Sequence, residues 1–403
     1  MIMLIFRSRA FILTSFLLLM SCVVARSATP DTISKSIPLV WATFDVGKIV
    51  QTNDHLKGLN KSGAPFERYK AYSLGVAWRT SGNKDWHHVN NFPSFGFGIY
   101  TAKLDGDDEL GQPISLFGTL KGVIARFGSN TIGYNVDYGV AFHWTPYNYN
   151  SNSYNITIGS KASAHLGLGV NYSYTIANRV ELGVDAGFTH FSNGAIRKPN
   201  KGLNLMHVSA HVAYLLNQQR PIMRKFFEKQ KSNNIDFTVG FGLKSSEVDS
   251  AETGFNRTYY DNIRFHVATL QAAFLHQYCQ RGKYGAGLSL VYDDFYDSTI
   301  LPVCEGDGAR VVHGNFSKRF SLGVFAEHIF MVGPLSFPTQ LGYYIYQPNV
   351  SKSQKKNSLF QRAGVRYTLP FDAYFGVNIY AHRLSKADFI EWNLGYNLKL
   401  KKH

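Results

Sequence analysis

Apolar and polar residues alternate singly along much of this chain. From Lys161 the even positions read Ala162, Ala164, Leu166, Leu168, Val170, Tyr172 and Tyr174, while the odd positions read Lys161, Ser163, His165, Gly167, Gly169, Asn171 and Ser173. Successive side chains of a strand point to opposite faces, so this spacing predicts a strand with one apolar and one polar face. From Glu181 the apolar set is Leu182, Val184, Ala186 and Phe188. Tyr284 to Leu290, Phe320 to Ala326 and Trp392 to Leu398 repeat the pattern.

A soluble sandwich would alternate too, but three features favour a membrane barrel. Many runs exceed about ten residues, where an ordinary strand averages about 5–6. Tyr and Trp sit near strand ends, where interfacial girdles need them. The polar face carries Lys, Glu, Asp and His, which suit a wet lumen better than a packed core. The predicted fold class is therefore all-β, a transmembrane antiparallel up-and-down β-barrel. Counting from about Val40 gives roughly sixteen strand candidates. That leaves two architectures, one barrel of roughly 12–16 strands or an eight-stranded barrel plus a second β-barrel half.

The links between runs support this reading. Short ones fall near Gly128-Ser129-Asn130, Ala177-Asn178, Arg281-Gly282, Val332-Gly333 and Pro370, and long ones near 146–160, 193–203, 297–314 and 349–358. Short periplasmic turns alternating with long outer loops is the bacterial arrangement. Two links, 80–94 and 218–234, are long where short ones are expected. The second carries Arg220, Arg224, Lys225, Lys229 and Lys231, and it parts a barrel half at 38–217 from additional strands at 235–403.

Composition agrees. Charged residues are 17% of the 403, against about a quarter in soluble domains, while aromatics are 15% and glycines number 36. At the start, Arg7 and Arg9 precede an apolar run from Ala10 to Met20. That run is shorter than the about 20 residues a bilayer span needs, but it fits an export signal. Residues 1–27 are thus expected to be a signal peptide, cut near Val23-Val24-Ala25 or Ala25-Arg26-Ser27. The alternative is lipoprotein processing after Leu19-Met20-Ser21, with a lipid on Cys22. No later stretch is apolar enough for a membrane helix, so a membrane-embedded mature chain must close into a barrel.

The formal charge of +15 would point a cytoplasmic chain to nucleic acid. An exported chain does not meet nucleic acid, and anionic lipid phosphates are the natural partner. Cys279 falls at a short turn and Cys304 in a long outer loop, about 25 Å apart across the apolar band. A disulfide tolerates less than about 7 Å between α carbons, so no bond between them is expected.

Candidate chemistry concentrates in Thr189-His190-Phe191-Ser192-Asn193-Gly194-Ala195-Ile196-Arg197-Lys198-Pro199-Asn200-Lys201-Gly202-Leu203-Asn204. His190 and Ser192 lie two residues apart on a strand, so they share a face with α carbons roughly 6.5–7 Å apart. A base beside a serine is the minimum for a nucleophile. Both continue the apolar set Leu182 to Phe188, so parity points them toward lipid at the outer end. On the return strand Asn204 leads the set Met206, Val208, Ala210, Val212 and Tyr214, which places it outward beside His190. The plainer reading is a polar strand tip that only hydrogen-bonds among headgroups.

The whole segment resembles the lipid A 3-O-deacylase family, the PagL-type outer-membrane acyloxyacyl hydrolases. The family pattern is His-aromatic-Ser-Asn, a short basic stretch and Pro-Asn-x-Gly, matched here by His190-Phe191-Ser192-Asn193, Arg197-Lys198 and Pro199-Asn200-Lys201-Gly202. The close match spans 189–204, with a looser one across roughly 95–217. The resemblance implies an eight-stranded barrel with the motif on its last hairpin, and the additional C-terminal strands make this an extended version. It implies Ser192 as nucleophile and His190 as base. Asn193, Gly194, Ala195 and Asn200 become oxyanion candidates, and Arg197, Lys198 and Lys201 candidates for the substrate's phosphates. At the third catalytic position the family has Glu, and this chain has Asn204. An amide can orient an imidazole but cannot stabilise its cation by charge. In the serine-protease case the acid-to-amide change costs about 10⁴ in turnover.

The implied activity is an outer-membrane esterase that releases a fatty acyl chain from lipid A of lipopolysaccharide, without metal or cofactor. The alternative is a non-enzymatic barrel, a porin or lipophile channel, with a relict motif. Other polar groups read as lining. His207, Ser209 and His211 alternate on the inner face of their strand. Parity turns His382 and Glu391 inward, and in one large barrel the final strand lies far from the seventh. Asp293-Asp294 and Asp105-Gly106-Asp107-Asp108 read as acidic loop residues with a weak cation signal.

Overall fold

The computed structural model describes residues 36–217, 231–245, 263–302, 309–351, 354–382 and 386–400. The expected signal peptide, Cys22, Cys304 and most of the basic connector lie outside the described residues. Cys279 ends its strand as a free thiol.

The strands form two separate closed barrels. The first runs through β1 (Ile37–Ile49), β2 (Arg68–Arg79), β3 (Ser94–Leu104), β4 (Gly111–Phe127), β5 (Asn130–Trp144), β6 (Ser163–Ile176), β7 (Val180–Ser192) and β8 (Leu203–Leu215). It closes where β1 pairs antiparallel with β8, from Leu39 opposite Leu215 to Ile49 opposite Leu205. The second runs through β9 (Ser232–Ser245), β10 (Arg264–Cys279) and β11 (Gly282–Asp293). It continues, after a small hairpin of β12 (Ser298–Pro302) and β13 (Ala309–His313), through β14 (Phe320–Val332), β15 (Leu335–Tyr346), β16 (Leu359–Thr368), β17 (Ala373–His382) and β18 (Lys386–Leu400). It closes where β18 pairs with β9. Closure leaves no strand edge, the condition for a sheet inside a bilayer. Of the two architectures left open by the sequence, the molecule takes the pair of barrels. Alternation is identical in both, and only long-range pairing decides between them.

The alternation becomes an exposed apolar surface. Val170, Val184 and Val208 each leave more than half of their surface uncovered, as bilayer-facing side chains do. Inside the first barrel, Phe191 is fully buried among Tyr100, Trp144 and His165, with ring centroids 4.9 to 5.8 Å away. Toward the other end the lumen is polar. Arg79 meets Glu181 at 2.7 Å and His211 meets Asp185 at 2.6 Å. His207, Ser209 and His211 all turn into this lumen, where Tyr69 reaches His207 at 3.1 Å.

The second interior is filled by paired charges. Arg362 clasps Glu391, and Arg366 spans Asp236 and Glu327 at 3.1 Å each. Lys356 bridges Asp293 and Asp388 at 2.5 Å each, and Lys244 also reaches Asp293. Glu391 and His382 both point inward, as parity requires. Three of the five acidic groups with a weak cation signal are engaged by protein donors. Asp293 takes the two lysines, Asp105 accepts the Glu67 and Arg68 N–H groups, and Asp107 accepts from Gln112.

The link at 80–94 is long for a structural reason. It folds into the short helix Asp85–Val89, and its Trp86 lies flat on the β14–β15 turn of the second barrel. A Cβ placed on Gly333 of that turn would stand 2.6 Å from the indole. The final strand also proves close to the seventh. Ile390 of β18 packs against Gly194, just past the end of β7. The opposite expectation assumed one large barrel, in which first and last halves are separated around the circumference.

Candidate active site

β7 delivers His190 and Ser192, and β8 delivers Asn204 directly opposite His190 in the pairing register. Along β7 the inward set ends in buried Thr189 and Phe191, while His190 and Ser192 continue the outward set. Phe188, two residues earlier on the same face, stacks its ring nearly parallel to the imidazole at 6.5 Å. Asn204 Oδ1 stands 2.6 Å from His190 Nδ1. An amide oxygen only accepts, so this contact holds the imidazole with its proton on Nδ1 and leaves Nε2 bare.

Ser192 Oγ accepts from the Gly194 N–H at 3.2 Å and from Asn200 Nδ2 at 2.8 Å. Among the described residues no hydrogen bond joins His190 to Ser192. Without substrate such bonds are commonly loose, and they tighten as the reaction complex forms. The loop returns from Asn200 through Gly202, whose φ of +76° is open to glycine. A Cβ there would stand 3.0 Å from His190 Cε1, so the backbone passes close beside the ring.

The remaining candidates divide. Gly194 and Asn200 converge on Ser192. Asn193 turns inward instead, donating to Ser160 Oγ at 3.0 Å and to the Arg197 carbonyl at 2.8 Å. Its side chain acts as a strut between those two groups. The inward parity it shares with Phe191 is the reason. Ala195 adopts φ +67° and offers its carbonyl to the Ser245 N–H at 2.7 Å. Arg197, Lys198 and Lys201 lie on the same loop, with Lys201 the most exposed.

Several supports carried no sequence signal. Lys201 and Gly202 donate their N–H groups to the Ile156 and Thr157 carbonyls of the β5–β6 link, at 2.9 and 3.0 Å. Val50 donates to the Asn204 carbonyl at 2.9 Å. Thr157 is pinned in turn by His55, which also meets Glu109 at 3.3 Å, all three fully buried. Burial pushes the His55 imidazole below its usual range, against the opposing pull of Glu109. These residues act through backbone carbonyls from distant segments, which no local motif reports.

Two family descriptions cover most of the chain. That of lipid A 3-O-deacylase (PagL) matches residues 71–213, and that of the acyloxyacyl hydrolase C-terminal domain matches 233–400. This chain belongs to the lipid A 3-O-deacylase family. As a member of that family it is a hydrolase and a bacterial outer-membrane protein. No curated protein matches it. Among solved structures, the outer membrane enzyme PagL is 15% identical over 42% of this chain and 97% of its own, with a TM-score of 0.29. The CymD monoaromatic hydrocarbon channel is 11% identical over 92% and 90%, at 0.20. The siderophore receptor PirA from Pseudomonas aeruginosa is 9% identical over 92% and 82%, at 0.26.

Proposed function

We propose that this family member removes an ester-linked fatty acyl chain from lipid A, with Ser192 as nucleophile and His190 as general base. The observation that carries the reading is the outward group of His190, Asn204 and Ser192 at the rim of the apolar surface. Polar side chains in that position are costly unless they serve a function. Lipid A places its acyl esters just beneath phosphate-bearing sugars, at the depth where this rim lies.

The contacts support a Ser/His mechanism. Asn204 keeps Nδ1 protonated, so Nε2 takes the Ser192 proton as Oγ attacks the ester carbonyl. The Gly194 N–H and Asn200 Nδ2 now meet Oγ. They stand where an oxyanion forms next to it and move to that oxyanion as negative charge develops. His190 returns the proton to the departing sugar oxygen, and water then releases the fatty acid by the reverse sequence. Arg197, Lys198 and Lys201 suit the phosphates beside the ester. Asn204 holds the ring without a countercharge for its cation, so turnover is slower than with a carboxylate there. Phe191, packed among Tyr100, Trp144 and His165 across the first barrel, and Arg362, buried against Glu391 across the second, speak against the channel alternative.

The test is the mass of lipid A from cells expressing the folded wild type or Ser192→Ala. Wild type is expected to shift lipid A by the loss of one acyl chain and to liberate the matching fatty acid, while Ser192→Ala leaves both unchanged. Intact lipid A with a folded wild-type barrel would defeat the reading.

A further inference from the structure

Ser245 presents an anomaly. It is the last residue of β9, whose inward set includes Asp236, Thr238 and Lys244, and parity therefore turns it outward with Phe237, Val239 and Phe241. Those three are widely exposed, yet Ser245 keeps only 3% of its surface. Its cover is the first barrel's nucleophile loop. The Ser245 N–H donates to the Ala195 carbonyl at 2.7 Å, and its hydroxyl donates to the Ile196 carbonyl at 2.6 Å. One strand over, Ile390 lies opposite Leu243 and is outward as well. A Cβ on Gly194 would collide with Ile390 Cγ1, so the isoleucine fills the space that glycine leaves.

The grip falls on a demanding piece of backbone. Gly194 and Ala195 are successive residues with φ of +61° and +67°, a region where alanine needs outside support. Gly194 is also the residue whose N–H points at Ser192 Oγ. The far half of the loop is held by the first barrel itself, through Ile156 and Thr157, and Asn193, at the head of the near half, is held by Ser160. Beyond Asn193, residues 194–196, which carry the backbone donor, are braced by the second barrel.

We propose that the second barrel is a positioning part of the hydrolytic site, with Ser245 and Ile390 clamping residues 194–196 so that the Gly194 N–H stays aimed beside Ser192. The effect on turnover rests on the esterase reading above, but the clamp itself does not. Neither residue touches the reacting atoms. They act through the loop, and a displacement of about 1 Å at a reacting centre can cost 10²-fold in rate.

The experiment uses the full chain, folded in detergent with lipid A as substrate. It compares wild type, Ser245→Ala, Ile390→Ala, the double variant, Ile390→Val and the exposed control Leu394→Ala. Turnover is read as kcat and KM, and loop order as amide exchange across residues 194–197 and 201–202. The double variant is expected to lose about ten- to a hundred-fold in kcat with KM within about two-fold. Exchange should quicken at 194–197 and stay unchanged at 201–202. Ile390→Val should recover most of the rate, and Leu394→Ala should match wild type. Packing that served only to join the barrels would leave kcat and loop exchange alone, and that result overturns the proposal. Should the double variant not fold, the single Ser245→Ala change, which removes one hydroxyl, decides by the same two readouts. Should wild type leave lipid A intact, the esterase reading fails and loop exchange alone decides the clamp.

Discussion

Each barrel carries a histidine at or near the outer end of its seventh strand, and the two have opposite surroundings. His190 of β7 faces outward beside Ser192, with its Nδ1 on Asn204. His382 of β17 faces inward, ringed by Tyr344 and Tyr380 at about 6 Å and lying 3.5 Å from Asp388. By residue type alone His382 is the better equipped for catalysis, since it has the carboxylate. Orientation decides otherwise. A step of one residue along a strand exchanges the lipid face for the interior, so chemistry in a barrel depends on parity before it depends on composition.

The largest effect expected from this contrast is on turnover. His190→Ala should lower kcat on lipid A by about 10³-fold or more, as loss of a general base does, while His382→Ala should leave it within about two-fold. Equal losses in the two variants, measured on folded protein, would dissolve the distinction. The next effect concerns what fills each barrel. Glu391→Ala strands Arg362 in a dry interior and should cost about 3–5 kcal/mol, read as a lower temperature for loss of the compact, heat-modifiable form on gels. Glu181→Ala breaks the corresponding pair with Arg79, which water reaches, and should cost clearly less. If the two losses are alike, the interiors do not differ in the way described. The smallest effect restores the countercharge. Asn204→Glu should raise kcat about ten-fold or more, on the precedent that a carboxylate outperforms an amide behind the imidazole. An unchanged rate would mean that Asn204 is fully adapted to its task.

Much of this was legible in the sequence, for reasons that individual residues make plain. Val184, Phe188, His190 and Ser192 share a parity, and parity alone set His190 and Ser192 on the outer face. Asn204 could be placed beside His190 because a hairpin fixes its own register. The number of barrels was not legible. Whether β8 returns to β1 or pairs onward is a contact between residues as distant as Leu39 and Leu215. Asn193 joined the oxyanion candidates by its type and its place in the motif, whereas the parity used for its neighbours turns its side chain inward, onto Ser160 and the Arg197 carbonyl. Ser245, Ile390 and Thr157 were invisible because they support the loop through backbone groups or by filling space, and many residue types could do either.

Trp86 adds a geometric consequence. Its perch on Gly333 joins the two barrels at the rim opposite the one where Ser245 meets Ala195. Contact at both ends opposes independent rolling or tilting, so the two barrels are expected to answer to bilayer thickness together. Hydrophobic mismatch on either belt is then shared by both. The depth of Ser192 in the bilayer is therefore expected to follow the thickness that suits both belts, where a lone eight-stranded barrel would answer to one.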